Sequence, residues 1–451
     1  MNDTPKKSLA LSSMLKEKLI QRSLAKRPLL DDEVGVPIKK AEVNQRYQKI
    51  LPEWYSFKHH SGYQQIQLQK AAGKELGISN PFFRVQSGIA GENCEIDGQH
   101  YWNFASYNYL NFNGHPQVSA AAKAAIDEYG TSVSASRLVS GERLIHRQLE
   151  QALAAWHGVE DCVVFVSGHA TNVSTIGYLF GINDLVLYDA FSHNSIVQGA
   201  ILSSAQRRVF PHNDWQTVEK ILAEERLNYQ RVLIVIEGIY SMDGDMPDLA
   251  EFIRIKQHYQ AILMVDEAHS LGVLGDRGQG LAAHCGVNPK DIDICMGTLS
   301  KTLAAAGGYI AGESALIELL RSYAPGFLYS VGISPPVAAA ALAALTLLQQ
   351  HPERVAQLHE NGNLFLQTAR SHGINTGLSQ GYSVIPVIVG SSIKAGRLAQ
   401  AMFNRGINVQ PIFYPAVEEK SARLRFFISC AHSQDQIIET VKILAEELAK
   451  I

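Results

Sequence analysis

The chain has 451 residues, of which 46% are hydrophobic and 18% charged, with a formal net charge of -3. At roughly 100–200 residues per domain, that length exceeds one small domain and accommodates two or three. The near balance of charge excludes the global basic excess that marks nucleic-acid binders. Cys94, Cys162, Cys285, Cys295 and Cys430 are scattered and form no CxxC pair. They argue against a disulfide framework or a zinc site, and for reduced thiols in a cytoplasmic protein.

Residues 1–80 are rich in Lys, Gln and Glu, with scattered Leu and Ile. The opening stretch MNDTPKKSLALSSMLKEKL has its apolar positions broken by Lys16, Glu17 and Lys18. No secretory leader is expected there. Tyr63–Leu76 has helical composition but a weak apolar face. We expect a partly helical extension, able to wrap a partner subunit or cover an active-site mouth; a flexible tail fits the composition equally well.

From about Asn80 short apolar runs alternate with helical stretches. Cys162–Val166, Leu185–Tyr188, Val232–Ile236, Ile262–Val265 and Ile294–Met296 are apolar at successive positions. Such runs predict strands buried on both faces, as in a parallel sheet covered by helices. Segments such as Trp215–Arg226 read as the intervening helices, so the expected class is α/β. The longest apolar run, Val337–Leu348, is Ala-rich and too short to span a bilayer; it predicts a buried helix. Beyond about Gln350 a helix from Pro352, strands at Val384–Val389 and Arg423–Ser429, a helix over Lys394–Arg405 and a last helix from about Ser433 predict a small α+β domain. The expected division is therefore 1–80, 81–349 and 350–451.

Three strand ends carry candidate chemistry. Ile262–Val265 runs into Asp266, Glu267, Ala268 and His269, and residues at the carboxyl end of such a strand face the ligand crevice. Ile294–Met296 runs into Gly297, Thr298, Leu299, Ser300 and Lys301, followed by Gly307 and Gly308. A lysine crowded by apolar atoms has a lowered pKa and serves as a nucleophile. Cys162–Val166 runs into Ser167, Gly168, His169, Ala170, Thr171 and Asn172, a strand-to-helix junction suited to phosphate. Taken singly each has a plainer reading: an ion-paired sheet edge, a solvated lysine, a serine helix cap. Together they supply what pyridoxal 5'-phosphate (PLP) needs, namely a carboxylate for its ring nitrogen, an amine for its aldehyde and a helix end for its phosphate.

Longer blocks then identify a family. SYNYL at Ser106–Leu110, SRLVSG at Ser136–Gly141, SGHATN at Ser167–Asn172 and HNS at His193–Ser195 come first. HND at His212–Asp214, EGIYSMDGD at Glu237–Asp245, DEAHSLGVLG at Asp266–Gly275, GTLSK at Gly297–Lys301 and ARLRFF at Ala422–Phe427 follow in order. From about Asn80 onward the chain resembles the α-oxoamine synthases, which include 8-amino-7-oxononanoate synthase, 2-amino-3-ketobutyrate CoA ligase and serine palmitoyltransferase. The resemblance implies the fold-type I PLP transferase architecture: a large domain with a mostly parallel seven-stranded sheet flanked by helices, plus a small C-terminal domain. It implies decarboxylative condensation of a small amino acid (serine, alanine or glycine) with an acyl thioester, on coenzyme A or an acyl carrier protein. It also implies a homodimer with shared active sites. NPFFRV at Asn80–Val85 and the block around SYNYL lean towards the serine palmitoyltransferase-like members and a long acyl chain.

By position, the resemblance makes Lys301 the cofactor-bound lysine and the base at the substrate Cα. Asp266 would pair with the pyridine nitrogen, His269 and Ser241 would contact the ring's phenolic oxygen, and His193 would stack on the ring. The phosphate would lie at Ser167, Gly168 and His169, assisted by Thr298 and Ser300. Asn108 and Arg423 would hold the amino acid carboxylate. Arg425, two residues on and facing the same side of a strand, is the rival for that role. His146, His212 and Asp214 are expected to be structural, and Glu237 to support the cofactor indirectly. Ser330 is a candidate for the partner subunit's phosphate. Two other readings stay open: a different PLP reaction, such as aldol cleavage or transamination, and a regulatory subunit without chemistry. The presence of Lys301, Asp266, His269 and His193 counts against the second.

Overall fold

The computed structural model describes residues 50–75 and 77–451. Its contacts divide the chain into two units, Met1–Ala72 and Gly73–Ile451. Most of the expected extension, including the opening stretch where no leader is expected, lies outside the described residues. Its described part carries short turns at Pro52–Trp54 and Phe57–His59 and the start of a helix, Ser61–Glu75. That helix matches the expected one, and its polar composition explains why Tyr63, Ile66 and Leu68 remain exposed.

In the second unit, β1 (Gln86–Ser87), β2 (Asn93–Ile96) and β3 (Gln99–Asn103) come first. The large sheet is built from β4 (Asp161–Phe165), β5 (Leu185–Asp189), β6 (Gln206–Phe210), β7 (Val232–Glu237), β8 (Ile262–Asp266), β9 (Ile294–Thr298) and β10 (Gly308–Gly312). Its order is β4-β10-β9-β8-β7-β5-β6. The pairs from β6 through β9 are parallel, and β10 runs antiparallel between β9 and β4. The last strands are β11 (Val384–Ile388), β12 (Ile407–Asn408), β13 (Gln410–Ile412) and β14 (Arg423–Phe427). β11, β14 and β13 form an antiparallel sheet, whereas β12 returns to extend β3.

The apolar strands alternate their side chains between two cores, which is why they read as unbroken hydrophobic runs. Val164, Leu187, Ile234, Val265 and Cys295 enter one core, against the helices Leu144–His157 and Pro335–Gln350. Val163, Val186, Val235, Met264 and Met296 enter the other, against Gly168–Leu179, Asn194–Leu202 and Ser314–Tyr323. The Ala-rich segment is a helix, Pro335–Gln350, with Ala338, Ala341, Ala344 and Leu348 wholly buried. Because β4, β5, β7, β8 and β9 all point the same way, their carboxyl ends open onto one crevice. That edge is where an open α/β sheet binds its ligand.

Candidate active site

β8 ends at Asp266, and parallel pairing sets it beside Glu237 of β7 and Met296 of β9. Asp266 is buried, and each carboxylate oxygen accepts one hydrogen bond. Oδ1 takes the backbone N–H of Ala268 at 2.9 Å and Oδ2 takes Asn172 Nδ2 at 2.8 Å. A lone pair is left on each oxygen for a ring N–H. Asn172 comes from the helix Gly168–Leu179 and also donates to Ser195 Oγ at 2.9 Å. Its role was not read from the sequence, although it closes the SGHATN block.

His269, on the turn after β8, is buried, and its Nδ1 lies 2.7 Å from the Tyr109 hydroxyl. Burial, with Lys301, Arg425 and His193 nearby, holds its pKa well below the usual imidazole value. It is therefore a neutral ring with Nε2 free to meet an oxygen. Tyr109 is a second residue that the sequence named only as part of a motif.

Lys301 follows β9 on a tight loop in which Ala304 N donates to the Lys301 carbonyl and Leu299 N to that of Gly307. Crowding by protein atoms draws its pKa down to about 8, while the carboxylates of Asp266 and Glu237 pull the other way. Its Nζ sits 5.8 Å above the Tyr107 ring. At neutral pH a useful fraction of this amine is unprotonated, which nucleophilic attack requires.

Ser167 caps the helix Gly168–Leu179 by accepting from Ala170 N at 3.0 Å. Gly168 is fixed by its neighbours, since a Cβ there would come within 2.9 Å of Thr298 Oγ1. Thr298 Oγ1 in turn lies 2.8 Å from Ser300 Oγ and donates to the Gly307 carbonyl at 3.0 Å. The helix end, Thr298 and Ser300 thus face one spot, with His169 exposed beside it. A helix N-terminus ringed by hydroxyls fits a phosphate. His193 caps the next helix, Asn194–Leu202, with Nδ1 2.7 Å from Ser195 Oγ. Its ring is exposed, and its backbone N–H is held by Glu237.

The two arginines of β14 are in different states. Arg423 is buried and engaged: Nη1 donates to Asp243 Oδ1 at 2.7 Å and to the Met242 carbonyl at 2.8 Å, and Nε to the Ser421 carbonyl at 2.8 Å. Arg425 Nη1 donates to the Ser241 carbonyl at 3.0 Å, and its Nε is buried without a partner among the described residues. Its charge is one of those that lower the pKa of Lys301 and His269. Asn108 is buried and occupied within its own loop, donating to the Ala90 carbonyl at 3.0 Å and Asn111 Oδ1 at 3.1 Å and accepting from Asn113 N at 3.1 Å. Ser241 is buried, and its carbonyl holds Arg425. The expected structural histidines are bonded within the protein: His146 Nε2 lies 2.8 Å from the Ile333 carbonyl, and His212 lies between two carboxylates.

The model of the aminotransferase class I and II family matches residues 99–444, and the chain belongs to that family. Within it the chain falls among the α-oxoamine synthases. The 8-amino-7-oxononanoate synthase of Coprothermobacter proteolyticus is 38% identical over 79% of this chain and 91% of its own. That of Treponema denticola is 35% identical over 82% and 93%. The Sphingomonas wittichii serine palmitoyltransferase superposes with a TM-score of 0.82 at 28% identity, covering 86% of this chain and 97% of that one. A lysine-to-alanine variant of the serine palmitoyltransferase from S. paucimobilis, solved with a bound PLP–myriocin aldimine, gives a TM-score of 0.82 at 26% identity over 87% of this chain and 99% of that one. The cofactor of this family is PLP. The residues at the crevice fit it, with a carboxylate keeping free lone pairs, a depressed lysine and a helix end whose glycine leaves room.

Proposed function

We propose that this chain joins a small amino acid to an acyl thioester, releasing CO2 and the free thiol and yielding an α-aminoketone. The observation that carries the reading is the convergence of Lys301, Asp266 and His269 at or just after the ends of adjacent parallel strands, beside Arg425, whose Nε has no partner among the described residues. Relatives named 8-amino-7-oxononanoate synthase and serine palmitoyltransferase support the same class of reaction.

When bound, PLP supplies an aldehyde for amines and an electron-withdrawing ring that acidifies the substrate Cα–H. Asp266, fixed by Asn172 and Ala268, turns the free lone pairs of its carboxylate to where a ring N–H would sit. His269, neutral and oriented by Tyr109, donates from Nε2 to an oxygen. Arg425 takes the amino acid carboxylate, because its guanidinium has capacity that Arg423 has already committed to Asp243. This reassigns the fork that the sequence placed on Arg423. Asn108 contributes by holding the loop of Tyr107 and Tyr109. Lys301 accepts the Cα proton and returns one after CO2 has left. With the cofactor bound, His193 would lie against its ring, and Ser167, Gly168, His169, Thr298 and Ser300 would hold its phosphate.

The domain division at 81–349 and 350–451 belongs to the same proposal, supported by the separate sheet of β11, β14 and β13. So does a homodimer. Leu138 and Val139, on the turn Arg137–Gly141, and Tyr329 and Val331, beside Gly332 whose N–H donates to the Ala135 carbonyl just before that turn, are exposed large apolar side chains of the kind that mark an interface. Among the described residues no helix is long and apolar enough to cross a membrane. Free cysteines support a cytoplasmic setting.

Mixing the purified protein with serine, alanine or glycine and an acyl thioester should release CO2 and thiol together, in equal amounts, and only when both substrates are present. CO2 or aldehyde release from the amino acid alone would assign another PLP reaction.

A further inference from the structure

His212 follows β6 and lies between two buried carboxylates. Its Nδ1 is 2.9 Å from Asp189 Oδ1, at the end of β5, and its Nε2 is 2.9 Å from Asp245 Oδ2, in the loop after β7. Phe191 stacks on the ring with centroids 4.3 Å apart, and Tyr240 meets it edge-on at 4.5 Å. Carboxylates only accept, so both ring nitrogens must carry protons and the ring is an imidazolium. The carboxylates have further work. Asp189 accepts from the backbone of Phe191 and of Asn213, each at 2.7 Å. Asp245 accepts from Asn213 Nδ2 at 2.8 Å.

Each carboxylate governs a different loop of the site. The loop from Asp189 carries Phe191, Ser192 and His193, the residue that faces the cofactor ring. The loop that ends at Asp245 carries Ser241, whose carbonyl seats Arg425, and Met242 and Asp243, which bind Arg423. Tyr240 N donates to the Asp245 carbonyl at 3.0 Å and Gly244 N to that of Tyr240 at 2.9 Å, so this loop is a turn closed by its own backbone hydrogen bonds.

We propose that His212 is a positioning residue for amino acid binding, its doubly bonded ring fixing the turn that seats Arg425 against the loop that carries His193. The inference rests on the assignment of Arg425 in the preceding section. Burial would lower the pKa of His212, but the hydrogen bonds its ring donates to Asp189 and Asp245 overcome it and raise the value to about 9. The titratable groups around it are these two carboxylates, the Tyr240 hydroxyl and, beyond Tyr240, Glu237. The fixed charge therefore persists across neutral pH.

The test uses the PLP-loaded enzyme and reads amino acid affinity from the visible spectrum, KM and kcat for each substrate, cofactor content and Tm. His212→Gln should raise amino acid Kd and KM by roughly tenfold, as loss of a charged hydrogen-bond pair does, with thioester KM and cofactor content unchanged. Asp245→Asn, which keeps a neutral bond to the ring, should shift the same constants by less. If His212→Gln does not fold, Asp245→Asn decides: raised amino acid KM supports the inference and wild-type KM overturns it. A lowered Tm with wild-type amino acid constants in both variants would make His212 merely structural and overturn the inference while the functional reading stands. A wild-type protein whose spectrum never responds to an amino acid would overturn that reading and this inference with it.

Discussion

Arg425 and Arg423 lie two residues apart on one strand; the family resemblance put the carboxylate fork on Arg423 and left Arg425 as its rival. Strand geometry points both to the same side, and only the partner on the facing loop tells them apart. Asp243 sits opposite Arg423, 180 positions away in the chain, and no local pattern reveals that pairing. The variants should behave differently. Arg425→Ala should raise amino acid KM by roughly ten- to a hundredfold, corresponding to about 1.5–3 kcal/mol for a hydrogen bond to a charged group, and leave Tm nearly unchanged. Arg423→Ala should instead cost about 3–5 kcal/mol of stability, because it strands the buried Asp243 carboxylate. Denaturant titration and steady-state kinetics on both variants decide between the two assignments. Lys301 adds a pH dependence. Its amine attacks only when neutral and its pKa is depressed to about 8. Uptake of PLP by the cofactor-free protein should therefore quicken by about tenfold per pH unit on approach to that value and level off above it. A rate independent of pH between 6 and about 8 would contradict the depressed amine.

At the scale of elements, five strands of the large sheet were legible because both faces are buried and their residues are uniformly apolar. β6 was not, since Gln206, Arg207 and Val209 are exposed at the sheet edge and the run opens on polar residues. β10 was missed for the opposite reason: Gly308–Gly312 is wholly buried, but it is bounded by glycines at both ends and its apolar run is short, so only the glycine pair after Lys301 stood out in the sequence. Its antiparallel insertion between β4 and β9 is what presses Gly308 onto Gly168, where a Cβ on Gly308 would come within 2.6 Å of Gly168 Cα. The corner proposed for the phosphate is therefore set by a strand that the sequence hid. Gly168→Ala drives a methyl into Thr298 and displaces the helix end. It should weaken PLP binding severalfold or more, measured by equilibrium dialysis of the cofactor. Ser167→Ala, which removes only the cap, should cost about 1 kcal/mol of stability. Equal PLP affinity in wild type and Gly168→Ala would remove the helix end from the phosphate site.

For the whole molecule, the class of fold was readable from the order of motifs, because SGHATN, EGIYSMDGD, DEAHSLGVLG and GTLSK each start at or beside the end of a recognisable strand, β4, β7, β8 and β9, and the proposed site is drawn from those strand ends. What was not readable is what tertiary contact alone creates: Asn172 reaching Asp266, Tyr109 reaching His269, and His212 bridging two loops. The exposed apolar side chains of Leu138, Val139, Tyr329 and Val331 bear on assembly. Val139→Asp should shift the protein from dimer to monomer in analytical ultracentrifugation, and a wild-type protein that is monomeric yet fully active would contradict shared active sites. The central claim, that Lys301 holds PLP and an amino acid displaces it, is tested most directly by the visible spectrum of the purified protein during titration with serine, alanine and glycine. The account predicts a cofactor band that shifts saturably with one of them and is absent from Lys301→Ala. A band that persists unchanged in Lys301→Ala, or a wild-type protein that takes up no PLP, would contradict it.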